Sequence, residues 1–335
     1  MQHPLKGLLI TGGVVLLFVG LSLVVAQHWI TAPGTHSATT VMIKRGESLY
    51  AVSERLEAEE LISSAKLLRL YARVQGLEKS IRAGEYLLPA RASLRQIIHL
   101  LVSGRVVQFP VRIREGLTIS EVIEDLASYD VLEQRLSQSD LTQIRAAVGI
   151  ELPFVEGSLL PDTYYVQRGS TDVELFKRAH RAMLDALLAQ WGERSSGLIL
   201  TTPAEALILA SLIEKESSLK ADRGLISQVF HRRLKKNMRL QTDPTVIYAL
   251  GERFDGDLRR ADLRVDSRFN TYKYKGLPPT PIALPSVESI RAALHPTEGK
   301  YLYFVARGDG SSHFSLTLAE HNAAVRRYQL GRNRR

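Results

Sequence analysis

The chain has 335 residues and a formal net charge of +9. Charged residues make up 24% of it and hydrophobic residues 45%, which excludes a chain that is disordered throughout. This length exceeds what one ordinary hydrophobic core needs, so two or three domains are expected. Cysteine is absent, which excludes disulfides, thiolate catalysis and cysteine metal ligands. The basic charge favours an anionic neighbour, but no nucleic-acid-binding signature accompanies it, so nucleic acid is not expected as a partner.

The N-terminus is predicted to anchor the protein in a membrane. Residues 7–26 form a run of 20 residues without a charge, which is the length that a helix needs to cross a bilayer. Lys6 is the only basic side chain before this run, so the short end is expected in the cytoplasm. The alternative is a signal peptide cleaved after Ala26. The predicted location is the cell inner membrane, with a single span and the large C-terminal part of the chain in the periplasm.

The fold class is predicted as α+β, in five segments. These are a cytoplasmic tip with the anchor, a linker, a small α/β module, a connecting α/β region and a catalytic domain (residues 1–30, 31–40, 41–105, 106–195 and 196–335). In the small module, a strand at 41–43, a turn at Gly46, a helix capped by Ser48 and a strand at 83–89 resemble a LysM-like fold. The connecting region repeats part of this pattern. The alternative is a structural spacer whose glycines permit tight turns.

A buried helix with two glutamates at its end is the candidate for chemistry. The start of this helix is predicted from Thr202 at the N-cap, Pro203 and Glu205. Residues 206–213 are almost wholly apolar, which indicates a helix inside a domain. Glu214 and Glu216 lie about 200° apart around such a helix, so both cannot face one cleft. Periodicity does not choose between them. Burial favours the neutral form of a carboxyl group, which can then protonate a leaving group; the alternative is a solvated helix end.

Several separate motifs resemble the YceG-like (MltG) family of endolytic murein transglycosylases. The matching segments are residues 210–216, 240–248, 270–272, 276–279, 301–305, 313–314 and 321–322. In this family the second glutamate of the Glu-Lys-Glu motif is the catalytic acid, so the resemblance implies that role for Glu216. It implies substrate-binding roles for a further set of residues: Gln241, Asp243, Tyr248, Asn270, Tyr272 and Asn322.

Alternatives stay open for several of these residues. Asp243 precedes a proline, so an extended backbone at a cleft edge is expected, but an Asx turn or a helix cap fits as well. Tyr272 fits equally as a packed core tyrosine. The basic run at 231–236 is interpreted as a solvated helix face; the alternative is contact with acidic stem peptides. No cofactor is expected, and no metal site, because His313 and His321 lack a pattern of partner ligands.

The resemblance implies a lyase that cleaves the bond between N-acetylmuramic acid (MurNAc) and N-acetylglucosamine (GlcNAc) in nascent peptidoglycan and leaves 1,6-anhydro-MurNAc ends. One glutamate would act first as acid and then as base. The expected partners are peptidoglycan glycan strands, the membrane and, by resemblance, penicillin-binding proteins and other wall-synthesis proteins. The alternative is a peptidoglycan-binding scaffold without catalytic activity.

Overall fold

The computed structural model describes residues 4–137, 139–217 and 219–330, without the side chains of residues 4–15, 19, 23 and 330. The chain divides into two compact units, one ending at Phe109 and one beginning at Pro110. Both units contain helices and short strands, which confirms the α+β class.

The described residues of the first unit form four helices and two strands. In chain order they are α1 (Pro4–Thr31), β1 (Thr39–Ile43), α2 (Leu49–Ala58), α3 (Ala65–Val74), β2 (Gly84–Leu88) and α4 (Leu94–Ser103). The strands pair antiparallel, with Val41 opposite Tyr86. Ser48 caps α2 as predicted, by accepting a hydrogen bond from the third residue of the helix. The predicted order of strand, helix, helix and strand is therefore present, and the likeness to a LysM fold stays a prediction.

The predicted anchor coincides with α1. Among the described residues, no helix meets the combined requirements of length and apolar character for crossing a membrane. The side chains of residues 7–15, 19 and 23 lie outside the described part of the chain.

The second unit begins with short elements and a long helix. They are β3 (Phe109–Ile113), α5 (Ile119–Leu126), β4 (Leu132–Glu133), α6 (Leu141–Val148), β5 (Asp162–Val166), β6 (Ser170–Thr171) and α7 (Asp172–Gly192). β3 pairs with β5, and β4 runs parallel to β6.

The remaining elements of the second unit form its main core. They are α8 (Pro203–Glu216), α9 (Lys220–Lys235), α10 (Asp243–Leu250), α11 (Val287–Leu294), β7 (Tyr303–Ala306), β8 (Ser312–Ser315) and α12 (Leu318–Val325), followed by a π-turn at Arg326–Leu330. Helix α8 lies at the centre, in contact with α7, α9, α10 and α11. That position explains why residues 206–213, apart from Ser211, are apolar on every side: a helix enclosed by four others has no solvated face. β7 and β8 form an antiparallel hairpin.

Candidate active site

Helix α8 fixes the position of the candidate acid. It begins with the predicted capping box, in which Thr202 and Glu205 satisfy each other's backbone N–H groups, and Pro203 occupies the first turn. It ends at Glu216, and Ser217 already has an extended backbone. The side chain of Glu216 therefore projects from the last turn of a helix that is locked in the core.

The structure separates the two glutamates that periodicity left open. Glu214 forms an ion pair with Arg223, with 2.8 Å between Oε1 and Nη2, and both side chains are only 4% exposed. Its other oxygen accepts hydrogen bonds from the backbone N–H and the hydroxyl of Ser286. A carboxylate with this many partners is a structural group, which leaves Glu216 as the residue available for chemistry.

Glu216 is partly buried, and its carboxyl group accepts a hydrogen bond from the hydroxyl of Thr242. Burial raises the pKa of Glu216 to about 7, because it penalises the charged form; the negative charge of Asp243 acts in the same direction. The Thr242 hydrogen bond and the positive charge of Arg233 oppose this shift. A carboxyl group with this pKa holds a proton for a large fraction of the time at neutral pH and can also give it up.

Thr242 is itself held by a small network of hydroxyl groups. Its backbone N–H donates to the hydroxyl of Thr271 at 3.1 Å, and its carbonyl accepts from the hydroxyl of Thr245 at 2.7 Å. All three threonines are buried. Gln241, directly before Thr242, has a φ of +50°, a conformation that side-chain-bearing residues rarely adopt and that often marks functional sites. The segment that presents a donor to Glu216 is thus tightly constrained.

Glu216 opens into a cleft of about 470 Å³. Part of the cleft wall is formed by the β7–β8 hairpin and helix α12. The lining residues are Glu216, Arg233, Leu240, Gln241, Asp243, Tyr272, Tyr303, Phe304, Val305, Ala306, Ser312, Leu318, His321, Asn322, Val325 and Gln329. The cleft therefore brings together Glu216 and four of the six residues predicted to bind substrate.

Asp243 and Tyr272 form a hydrogen-bonded pair in this cleft. The Tyr272 hydroxyl donates to Asp243 Oδ1 at 2.5 Å, and burial together with Asp243 raises the pKa of Tyr272. Helix α10 begins at Asp243, so the expectation of an extended backbone there is wrong. The reason is that a proline is tolerated in the first turn of a helix, where its missing N–H removes no helical hydrogen bond.

The other two predicted residues, Tyr248 and Asn270, do not line the cleft. The Tyr248 hydroxyl donates to Glu156 Oε2 at 3.3 Å. Asn270 is fully buried, and its amide donates to the carbonyls of Leu263 and Val265. These contacts tie Asn270 to the segment before it and Tyr248 to the loop that carries Glu156.

Two functional candidates, Thr242 and Arg233, were not predicted from the sequence. The interpretation of residues 231–236 as a solvated face is wrong for His231 and Arg233, both of which are buried. The guanidinium of Arg233 donates to the carbonyls of Leu302 and Leu240, each at 2.7 Å. The sequence of a basic run does not show which of its residues faces the core, so Arg233 could not be singled out. Thr242 could have been noticed only because it lies inside the motif at residues 240–248.

Residues 41–327 match the model of the YceG-like family. The chain belongs to that family. An endolytic murein transglycosylase of Bacillus subtilis (strain 168) is 33% identical, over 95% of this chain and 92% of the relative. A second protein of that name, from Streptococcus pneumoniae serotype 2, is 28% identical over 85% of this chain and 57% of its own length.

A solved structure agrees with this assignment. The crystal structure of a YceG-like protein from Listeria monocytogenes has a TM-score of 0.54 and 31% sequence identity, over 86% of this chain and 98% of that one. The resemblance to the YceG-like family that the motifs indicated is therefore confirmed.

Proposed function

We propose that this YceG-like protein is an endolytic murein transglycosylase whose general acid and base is Glu216. The observation that carries the proposal is the carboxyl group of Glu216, which has its pKa raised to about 7, lies at the edge of a polar cleft and is held by a fixed hydroxyl donor. A group with a pKa close to the working pH is suited to give and take a proton in one catalytic cycle. The names of the relatives from B. subtilis and S. pneumoniae support the same reaction class.

The reaction requires Glu216 to transfer protons in two steps, by donating one proton and then accepting another. Protonated Glu216 donates to the oxygen that links MurNAc to GlcNAc, and the bond from that oxygen to C1 of MurNAc breaks. The resulting carboxylate then accepts the proton of the MurNAc 6-hydroxyl, whose oxygen bonds to C1. The products are a 1,6-anhydro-MurNAc end and a free GlcNAc 4-hydroxyl, with no water consumed. Because the nucleophile belongs to the substrate, its attack gains from proximity, and one carboxyl group is sufficient.

The side chains around Glu216 have assigned roles in this mechanism. Thr242 orients the carboxyl group through its hydrogen bond, and Arg233 stabilises the carboxylate that forms after proton donation. Gln241, the Asp243–Tyr272 pair and Asn322 line the cleft with groups that hydrogen-bond to sugar hydroxyls. Tyr248 and Asn270 would contribute indirectly, by holding neighbouring loops.

The cellular setting is part of the proposal. The uncharged run at residues 7–26 supports a single membrane span with the cleft on the periplasmic side of the inner membrane. Such an enzyme would act on nascent glycan strands close to where they are made, beside penicillin-binding proteins. The strand and helix order of residues 41–105 supports a LysM-like module in the first unit.

Cleavage of purified peptidoglycan by the full chain tests the proposal. Wild type and Glu298→Gln, which changes an exposed glutamate outside the cleft, are expected to release internal glycan fragments at the same rate. Glu216→Gln is expected to lower that rate by at least about 100-fold, the scale of general acid–base catalysis. Full activity of Glu216→Gln would overturn the role of Glu216. Binding without cleavage by the wild type would favour the scaffold alternative.

A further inference from the structure

Strand β7 meets the cleft at its edge. All four of its residues, Tyr303–Ala306, line the cleft, although the side chain of Val305 is buried and that of Ala306 is exposed. Successive side chains of a strand point to opposite faces of a sheet. A cleft that touches four residues in a row therefore contacts the backbone edge of the strand. The other edge of β7 is occupied by β8.

The hydrogen-bond pattern of the hairpin identifies the backbone groups on this open edge. The N–H of Arg307 donates to the carbonyl of Ser311 at 2.9 Å, while the N–H of Ser312 points out of the ladder and donates to Asp222 at 2.7 Å. Ser312 lies opposite Ala306 in the hairpin. The two residues therefore form a non-hydrogen-bonded pair, in which the backbone N–H and C=O groups of each residue point away from the other strand.

By the alternation of an antiparallel ladder, the backbone groups of Phe304 and Ala306 both point toward the cleft. Outside the ladder, no hydrogen bond among the described residues uses their N–H or C=O groups. Unpaired strand edges of this kind are the surfaces to which extended peptides add. The edge provides two donors and two acceptors, which suits a short peptide.

The charge at the end of β7 indicates what kind of peptide fits. Arg307 follows the strand directly and is exposed. The guanidinium groups of Arg307 and Arg327 lie over the ring of Tyr328, at 5.8 Å and 5.3 Å from its centroid. Two cations close to the end of an open edge complement an acidic peptide. In the proposed substrate, an acidic stem peptide hangs from the same MurNAc residue whose C1 must lie beside Glu216.

We propose that the β7 edge binds the stem peptide of the substrate as an added strand, with Phe304 and Ala306 as backbone partners and Arg307 as a partner for its carboxylate. The inference rests on the proposed function and goes beyond it. It makes the enzyme selective for glycan strands that still carry their peptides. Since the peptide leaves from the reacting sugar, its capture also sets which glycosidic bond lies at Glu216.

The test compares glycan strands that carry stem peptides with the same strands after an amidase has removed the peptides. Full-length wild type is expected to show a kcat/KM about tenfold higher on the peptide-bearing strands, a factor that one or two hydrogen bonds provide. Ala306→Pro removes one N–H from the open edge, where proline is tolerated, and is expected to bring the ratio between the two substrates close to one. Arg307→Gln is expected to reduce the ratio, and Arg291→Gln, an exposed arginine outside the cleft, to leave it unchanged.

A ratio near one for the wild type would overturn the peptide site without affecting the proposed reaction. A ratio unchanged by both Ala306→Pro and Arg307→Gln would show that the peptide binds elsewhere. If Ala306→Pro does not fold, the wild-type ratio and Arg307→Gln still decide the question. Failure of the wild type to cleave either substrate would instead count against the proposed function.

Discussion

Two neighbours, Thr242 and Asp243, act on the pKa of Glu216 in opposite directions. The Thr242 hydroxyl stabilises the carboxylate and lowers the pKa, whereas the negative charge of Asp243 raises it. Burial is the largest cause and sets the direction of the net shift, to about 7. The pKa of the proposed proton donor is therefore set in part by two side chains that follow each other in the chain.

The pH dependence of cleavage tests this balance. The proposed mechanism starts from protonated Glu216, so kcat/KM is expected to fall about tenfold per pH unit above about pH 7. Thr242→Val removes the stabilising hydrogen bond and should move this alkaline limb to higher pH. Asp243→Asn removes the repelling charge and should move it to lower pH. If the alkaline limb of the pH profile does not move in the two variants, or moves in the same direction in both, the roles assigned to Thr242 and Asp243 are contradicted.

The same pKa shift predicts an effect on stability. The pKa of Glu216 is raised in the folded state, so ionisation of this group lowers the free energy of unfolding. This loss of stability is absent below about pH 4, grows between the unfolded and folded pKa values and is complete above about pH 7. Glu216→Gln carries no charge and is expected to be more stable than wild type at about pH 8, by roughly 1–2 kcal/mol once solvent screening of a partly exposed group is allowed for. Below about pH 4 the difference should disappear.

Glu214→Gln is the matched comparison, measured by urea unfolding under the same conditions. This substitution leaves Arg223 without its buried partner, so the free energy of unfolding is expected to fall by roughly 3 kcal/mol. A destabilised Glu216→Gln at alkaline pH, or a neutral Glu214→Gln, would show that the two glutamates have been assigned the wrong way round.

These residue-scale facts were only partly predictable. The motif that contains Glu216 was recognisable from the sequence, but helical periodicity could not separate it from Glu214. The contacts that do so come from Arg223 on the next helix and from Ser286, 72 positions along the chain from Glu214. Thr242 could not be found from residue type either, because a threonine that donates to a carboxyl group has the same local pattern as one that caps a helix.

At the scale of elements, local signals predicted well. The capping box of α8 and its buried apolar stretch depend on neighbouring residues and appear as expected. Packing between distant segments was not predictable. Helix α9 faces the core with His231 and Arg233 because α11 and the segment before β7 supply carbonyl acceptors for them, at Ala293 and Leu302.

The loop around Gly157 gives an element-scale prediction with an internal control. Gly157 has a φ of +74°, and a Cβ there would lie 2.5 Å from the Cβ of Pro281. Gly149 has a similar φ of +78°, with nothing within 4 Å of a Cβ. Gly149→Ala is expected to cost about 1 kcal/mol, from backbone conformation alone. Gly157→Ala should cost at least about 1 kcal/mol more, because the 281–283 segment must move.

Thermal or urea unfolding of the two alanine variants measures this difference directly. Equal losses for the two would mean that the Gly157 loop does not pack against Pro281 as described. A larger loss for Gly157→Ala would confirm that this contact, between segments more than 120 positions apart, holds the loop that carries Glu156.

At the scale of the whole molecule, the uncharged run at residues 7–26 predicts that the intact chain is an integral membrane protein. In cell fractionation, the wild type should stay with the membranes after alkaline carbonate washing and should retain its N-terminus. Replacing both Leu16 and Leu17 by arginine is expected to release it, since each charge near the middle of a span costs roughly 2.5–3.5 kcal/mol. A mature protein that begins after Ala26 would instead support the cleaved signal peptide.

The most direct test of the proposed chemistry is mass spectrometry of the glycan ends made by the full-length protein in water labelled with heavy oxygen. Attack by the MurNAc 6-hydroxyl predicts 1,6-anhydro ends that carry no label, and loss of these products in Glu216→Gln. Reducing MurNAc ends that carry one labelled oxygen would contradict the mechanism. They would mean that water is the nucleophile and that a second carboxylate takes part in hydrolysis, with Asp243, which also lines the cleft, as the candidate.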